Sequence, residues 1–229
     1  MSASSVRKEV VLPPVAPLKE AAATTVGCRA LDLLVSTVLL ILLAPLFIAI
    51  AVAIRVESGG PVLFRQRRFG IGLSTFTIYK FRTMTAGTSA EPHREYIQGL
   101  IRGEAGAPVD GGLFKLESDT RITRVGQVLR RFSLDELPQL WNVFTGTMSI
   151  VGPRPAIPYE VEHYKPHWYR RFGVKPGMTG LWQVSGRNRL NFGDMVQLDL
   201  DYAQRRSLWL NLRILAKTPW VVATGKGAA

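Results

Sequence analysis

Between residues 33 and 54 the chain runs through 22 positions without a charge, and Ser36 and Thr37 are the only hydroxyl side chains in that run. As a helix the run is about 33 Å long at 1.5 Å per residue, which matches the hydrocarbon core of a bilayer. It shows no helical periodicity, the pattern expected when lipid lies on all sides. A buried core helix is the competing reading. A cleaved signal peptide fits less well, because the run is long, lies well in from the start and lacks a small-residue cleavage pattern after it. Pro45 sits in its middle, where a missing N–H and a clash with the preceding turn kink or break a helix. A kinked helix would span; a broken one would enter and leave on one face. Lys19 and Arg29 precede the run, and Arg55, Arg65, Arg67 and Arg68 follow it. Basic flanks are cytoplasmic, so either geometry places residues 55–229 on the cytoplasmic side.

Beyond this run the polar and apolar positions predict short elements. Residues 61–68 and 75–81 alternate loosely, are rich in β-branched and aromatic side chains, and enclose Gly70 and Gly72, which reads as a β-hairpin. Residues 91–102 read as a helix with Pro92 in its first turn. Asp119 or Thr120 is placed to cap a helix running to about Arg131. Ser133 and Glu136 have the spacing of a capping box for the next, which Gly146 would end. Pro153, Pro155 and Pro158 mark a rigid loop. Residues 158–172 again read as helical, and residues 173–188 as loop and short strand around four glycines. Residues 192–206 and 208–222 read as two closing helices. The last carries Trp209 and Trp220, which suit a membrane interface, although an ordinary packing helix would look the same. Residues 1–28 are small, polar and proline-containing, and read as a flexible leader.

Composition changes this picture in one respect. The chain has 229 residues, 29 Lys+Arg against 17 Asp+Glu, a net charge of +12, and is 47% hydrophobic. Disordered basic tails are not so apolar. One cysteine, Cys28, excludes a disulfide framework or a cysteine zinc cluster, and three histidines make a histidine metal site unfavourable. The basic residues cluster: Arg65, Arg67, Arg68, Lys80 and Arg82; then Arg121, Arg124, Arg130 and Arg131; then Lys165, Arg170, Arg171, Lys175, Arg187 and Arg189. Anionic lipid accounts for part of this, at about 1 kcal/mol per residue near the surface. Nucleic acid is disfavoured, because no recognised binding motif is present and the clusters sit beside acids and Gly/Pro loops.

The most suggestive chemistry is Asp135-Glu136, an acid pair that follows four arginines at the predicted start of a helix. Its simplest role is to complement the helix dipole. The same physics also allows chemistry: a carboxylate kept ionised by arginines can attack phosphorus, while its neighbour holds Mg²⁺. Arg130, five residues before Asp135, is placed to neutralise phosphoryl oxygens.

Four segments occur in order: Lys80-Phe81-Arg82-Thr83-Met84, Leu129 to Leu140 around Asp135-Glu136, Ser149-Ile150-Val151-Gly152-Pro153-Arg154-Pro155, and Pro176 to Arg187. Together they resemble the bacterial sugar transferases, small monotopic phosphoglycosyl transferases that act on polyprenyl phosphate, over roughly residues 28–223. The chain looks most like the short members that begin exopolysaccharide assembly, such as the succinoglycan-type galactosyl-phosphate or glucosyl-phosphate transferases.

The resemblance implies that Asp135 is the nucleophile, attacking the sugar-bearing phosphate of a UDP-sugar and releasing UMP. Undecaprenyl phosphate then takes the phosphosugar. It implies Glu136 as the Mg²⁺ ligand and Arg130 as a phosphate-binding arginine. Lys80, Arg82 and Arg154 are implied as ligands of substrate phosphates, and Gln183 and Arg187 as contacts of the nucleotide or sugar. The family's membrane helix is re-entrant and usually broken at Ser-Pro; here the pair is Ala44-Pro45, without the serine hydroxyl. The expected fold is α+β and mostly helical: a monotopic protein with one Pro-broken re-entrant helix, a small β-hairpin and interfacial amphipathic helices. The expected divisions are a leader at 1–28, a membrane helix at 29–55, a cytoplasmic catalytic domain at 56–223 and a tail at 224–229. The expected partners are UDP-sugar, undecaprenyl phosphate and inner-membrane lipid, with no nucleic acid; a homo-oligomer is left open. A non-catalytic scaffold in a polysaccharide machine is the alternative, under which Asp135 and Glu136 are dispensable.

Overall fold

Proline breaks the long apolar run into two helices. In the computed structural model, which describes residues 12–85, 87, 91–102, 121–186 and 190–223, α1 covers Ala22–Leu42 and α2 covers Ala44–Ser58, with Pro45 in the first turn of α2. Leu43 lies between them at φ −91°, ψ 3°. Pro45 has no N–H to donate to the carbonyl of Ile41 and its ring would strike that carbonyl, so the ladder must yield there. Helix α1 begins at Ala22, within the stretch read from sequence as leader, and residues 12–21 run without regular structure ahead of it. That stretch is docked: Leu18 N donates to Gly173 O at 2.8 Å, and Glu20 pairs with Arg206.

Helix α1 is long and apolar enough to cross a membrane. One stripe of it, Cys28, Asp32 and Ser36 at i, i+4 and i+8, is buried. The corresponding stripe of α2 is Ile50 and Ile54. Leu34, Val38, Ile41, Leu42, Ile48, Val52 and Val56 remain exposed on the other faces. An apolar surface this continuous would be unfavourable in water.

The predicted hairpin forms as β1, Leu63–Phe69, and β2, Thr75–Phe81, antiparallel with Leu63 opposite Phe81 and Phe69 opposite Thr75. Helix α3 covers Glu91–Arg102 as expected. Helix α4, Arg124–Arg131, is capped by Thr123; the proposed caps Asp119 and Thr120 lie outside the described residues. Helix α5, Gln139–Phe144, leads to a three-residue strand β3, Ser149–Val151. The helix expected over 158–172 is instead α6, Pro158–Val161, followed by a 3₁₀ segment, Pro166–Gly173. Pro166 is the reason: Lys165 before it is extended at ψ 148°, as a residue preceding proline tends to be. Strand β4, Gly177–Thr179, pairs in parallel with β3. Helices α7, Leu181–Ser185, α8, Phe192–Arg205, and α9, Leu208–Ala223, complete the described chain. The fold is thus mostly helical with a small antiparallel hairpin and a second two-stranded parallel sheet.

The core has three parts. An aromatic cluster of Tyr164, Trp168, Tyr169, Phe172 and Phe192 joins α8 to the 3₁₀ segment. A second cluster packs Ile78 of the hairpin against Leu140 and Val143 of α5, the β3 residues Ile150 and Val151, and Tyr202 and Ile214 of the last helices. The third brings Ile50 and Ile54 of α2 onto Phe81 and Leu129, so the apolar helix pair shares a core with the hairpin and α4. The parallel sheet depends on two glycines. A Cβ at Gly152 would lie 2.4 Å from Lys175 O, and one at Gly177 would lie 2.0 Å from Gly152 N.

Candidate active site

The acid pair sits in a turn whose shape is set on both sides. Upstream, Thr123 Oγ1 accepts from Gly126 N at 2.9 Å, and the carboxylate of Glu57 accepts from Arg124 N at 2.7 Å and Val125 N at 3.0 Å. Three of the four unmet N–H groups at the start of α4 are thereby satisfied. After Phe132 the chain reverses through Ser133, which is left-handed at φ 55°, ψ 22°. A 3₁₀ turn, Leu134–Glu136, follows, with Leu137 N donating to Leu134 O at 3.2 Å. Pro138 has no N–H for the Leu134 carbonyl, so an α-helix cannot run through the turn, and α5 starts only at Gln139. The expected capping box is therefore absent: Ser133 makes no side-chain cap, and the residues after it are not an α-helix. This turn buries Asp135 and leaves Glu136 about one-third exposed.

Glu136 Oε1 accepts from Lys80 Nζ at 2.7 Å. Lys80 lies on β2, and β2 is laced to α5 by Asn142, whose Oδ1 takes Tyr79 N at 3.2 Å and whose Nδ2 donates to Thr77 O at 2.8 Å. The strand carrying the ammonium and the helix following the acids are thus tied together. Arg82, two residues beyond Lys80, is buried and donates Nη2 to Ser58 Oγ at 2.5 Å, at the end of α2. Arg130 is in the last turn of α4, and its carbonyl accepts from Ser133 N at 3.3 Å. Five of the sequence candidates, Lys80, Arg82, Arg130, Asp135 and Glu136, accordingly lie on β2, its exit, α4 and the turn that α4 enters.

The proline loop forms a second cationic group. Arg154 pairs with fully buried Glu160, Nη1 to Oε1 at 3.1 Å, and Glu160 also accepts from Ile157 N at 3.2 Å. Arg68 donates to Pro155 O at 2.8 Å and to Gln66 Oε1 at 2.6 Å. Burial and the neighbouring Arg154 guanidinium push Arg68 down to about 10, while Glu160 and Glu136 pull it the other way. Arg68 therefore senses both the proline loop and the acid pair. Behind it, Arg171 holds the Arg154 carbonyl at 2.9 Å, the Tyr164 hydroxyl at 2.6 Å and the carboxylate of Asp199. Burial pushes Asp199 up to about 6 against the pull of Arg171.

Gln183, on α7, donates Nε2 to Met178 O at 3.1 Å within its own loop. Arg187 lies outside the described residues. Sequence reasoning missed Glu57, Ser58, Arg68, Asn142 and Glu160 as supports. Each binds a partner on another element or a backbone group; of these only Glu160 has a local signal, its place three residues after Ile157 at the start of α6. The described residues contain no group of three or more metal-type side chains. The adjacent carboxylates of Asp135 and Glu136 do fit Mg²⁺, which takes one or two carboxylates and fills its sphere with water and substrate phosphates.

This geometry puts a buried carboxylate and a carboxylate–ammonium pair at one turn, with arginines on the neighbouring elements, an arrangement suited to phosphate-bearing ligands. Residues 23–225 match the bacterial sugar transferase family. The chain belongs to that family. It is 39% identical over 201 residues to the exopolysaccharide production protein ExoY of Rhizobium meliloti, covering 87% of each chain. It is 40% identical over 201 residues to the undecaprenyl-phosphate galactose phosphotransferase of Salmonella typhimurium, covering 87% of this chain and 41% of that one. It is 42% identical over 195 residues to the UDP-glucose:undecaprenyl-phosphate glucose-1-phosphate transferase of Xanthomonas campestris, covering 82% of this chain and 37% of that one. The sugar transferase chain thus spans about two-fifths of these two longer relatives and most of ExoY. The family region runs from the second residue of α1 to beyond α9, so the apolar helix pair and the acid pair both belong to it.

Proposed function

We propose that the protein transfers a sugar 1-phosphate from a UDP-sugar to undecaprenyl phosphate, the first membrane step of exopolysaccharide assembly. The observation that carries this reading is Asp135, held buried in a 3₁₀ turn beside a Glu136 that Lys80 anchors, in a family whose relatives are named for this reaction. In the first step a carboxylate oxygen of Asp135 bonds to the sugar-bearing phosphorus, and the bond from that phosphorus to the bridging oxygen breaks. The electron pair leaves with UMP. In the second step a phosphate oxygen of undecaprenyl phosphate bonds to the same phosphorus and the acyl-phosphate bond breaks. Asp135 is thereby restored as a carboxylate.

The polar side chains divide the work. Arg130, Lys80, Arg82 and Arg154 offset the negative charge of the substrate phosphates, and Gln183 and Arg187 orient the nucleotide and sugar. Glu136, with Asp135 beside it, would hold Mg²⁺, which supplies charge neutralisation of the diphosphate. Ser133 and Pro138 fix the backbone of the turn before substrate arrives, so little conformational freedom is lost there on binding.

The apolar helix pair is read as a re-entrant anchor, with the domain on the cytoplasmic face of the inner membrane. Supporting this, both ends of the pair rest on the same domain. Near the start of α1, Arg29 donates to Val143 O at 2.7 Å, and Asp32 accepts from Ser149 Oγ at 2.9 Å and Ile150 N at 2.8 Å. At the end of α2, Glu57 and Ser58 hold α4 and Arg82. An unbroken helix over residues 22–58 would be about 55 Å long. A domain of this size is only about 40 Å wide.

Replacing Asp135 by Asn tests the chemistry. UMP release from UDP-galactose or UDP-glucose, with undecaprenyl phosphate and Mg²⁺, should vanish while the protein remains in the membrane. Retained turnover would refute the nucleophile. Retained polysaccharide production by an Asp135→Ala/Glu136→Ala variant would favour the scaffold.

A further inference from the structure

Arg82 is buried, and of its three guanidinium nitrogens only Nη2 is hydrogen-bonded; Nε and Nη1 have no partner among the described residues. A buried cation with donors unmet is unfavourable unless an anion completes it. That hydrogen bond is directional. The Ser58 hydroxyl spends its proton on Ile54 O at 3.0 Å, so its oxygen faces Arg82 as a pure acceptor and fixes the rotation of the guanidinium. Gly60 closes against the other side: a Cβ there would stand 2.0 Å from Nη1.

The location of this fork narrows the anion. Ser58 is the last residue of α2, and the exposed apolar flank of that helix continues to Val56, which is 81% exposed. Arg82 therefore lies where the apolar surface ends. In a bilayer that depth is the headgroup layer, just outside the hydrocarbon, where lipid-borne phosphates reside. A polyprenyl phosphate is held at that depth by its chain, whereas a nucleotide diphosphate enters from water.

We infer that Ser58 is a positioning residue that aims Arg82 at the phosphate of a lipid rather than at the diphosphate of the nucleotide sugar. The inference rests on the transferase reading and assigns one of its cations to one of its two substrates. The shared chemistry is a phosphate at headgroup depth, carried by the polyprenyl acceptor or by a bulk phospholipid.

The test uses the full chain in nanodiscs of phosphatidylcholine. In steady-state UMP release, Ser58→Ala raises the KM for undecaprenyl phosphate about five-fold, the scale of one misdirected charged hydrogen bond, and leaves the KM for UDP-sugar within about two-fold. Ser58→Thr restores the acceptor KM, and Gly60→Ala reproduces the Ser58→Ala pattern. In an Arg82→Gln background the Ser58→Ala effect disappears, because both act through one group. A second measurement omits UDP-sugar: binding of undecaprenyl phosphate to the nanodisc-held protein weakens about five-fold in Ser58→Ala. This arm stands even if no UDP-sugar turns over, a result that would overturn the transferase reading alone. Adding phosphatidylglycerol separates the lipids. Competition with the acceptor, lost in Ser58→Ala, assigns the site to any net-anionic lipid phosphate; no competition assigns it to the polyprenyl phosphate. A rise in the UDP-sugar KM instead, additive effects of Ser58 and Arg82, or unchanged acceptor binding overturns the proposal.

Discussion

Glu57 offers a direct measurement of how far the end of the apolar helix pair organises the acid-pair turn. Its carboxylate takes the first two N–H groups of α4, at 2.7 and 3.0 Å, and carries a negative charge at the positive end of that helix. Replacing Glu57 by Ala removes two charge-assisted hydrogen bonds and one favourable dipole contact, while Thr123 still caps Gly126. Both bonds are solvent-exposed, so water replaces part of what is lost, and the net cost is about 1–2 kcal/mol. That corresponds to a roughly 5- to 30-fold rise in the open population of α4. Hydrogen exchange reads this locally: amides of Val128 and Leu129 should lose protection by that factor, while those of α8 keep theirs. Glu57→Gln should lose about half as much, and the gap between wild type and Gln should narrow in high salt, since only the charge is screened. Two results would refute this reasoning. One is unchanged exchange in α4. The other is a loss of protection spread evenly over the domain, which would make Glu57 a general stability residue.

Two further outcomes follow from the packing. Gly152→Ala places a Cβ 2.4 Å from Lys175 O and must separate β3 from β4, so the protein should lose several kcal/mol and fail to accumulate in membranes; Ser185→Ala, at an exposed position, serves as the control. Asp199 is raised in the folded protein to about 6 from an ordinary 3.8. A raised carboxyl contributes stability that is fully present below its unfolded value and is lost as pH rises through its folded value. Thermal stability should therefore fall between about pH 4 and pH 6 in wild type relative to Asp199→Asn. Parallel curves for the two proteins would show that Asp199 does not titrate there.

Much of this was legible in the chain because it is written in local pattern. The hairpin follows from alternation around Gly70 and Gly72, and the break in the apolar run follows from Pro45. The two closing helices follow from long periodic stretches, and the acid pair with its flanking motifs stands out by composition. What escaped is of two kinds. Some local signals competed: Ser133 and Glu136 have capping-box spacing, yet Pro138 forbids an α-helix across the turn, and Ser133 turns left-handed instead. Pro166 splits a stretch whose apolar pattern reads as one helix. Other features are long-range by nature. Strands β3 and β4 are three residues each, too short to alternate, and their pairing rests on two glycines 25 positions apart in sequence. Asn142 to Tyr79, Asp32 to Ile150 and Glu57 to Arg124 are side-chain-to-backbone contacts across 63 to 118 residues, which no local spacing encodes.

The two apolar helices are fastened to the domain at Arg29, Asp32, Glu57 and Ser58, near both ends of the pair. A lone transmembrane helix meets a thicker bilayer by changing its tilt. Read as a re-entrant pair clamped at both feet, these helices have no such freedom, because tilting them would tear Glu57 from α4 or Asp32 from β3. The protein must then settle deeper or shallower as a whole, or the lipid around it must deform. On the re-entrant reading, the apolar pair and the acid pair form one rigid unit, so the depth to which the pair sinks sets the height of Asp135 relative to the headgroups.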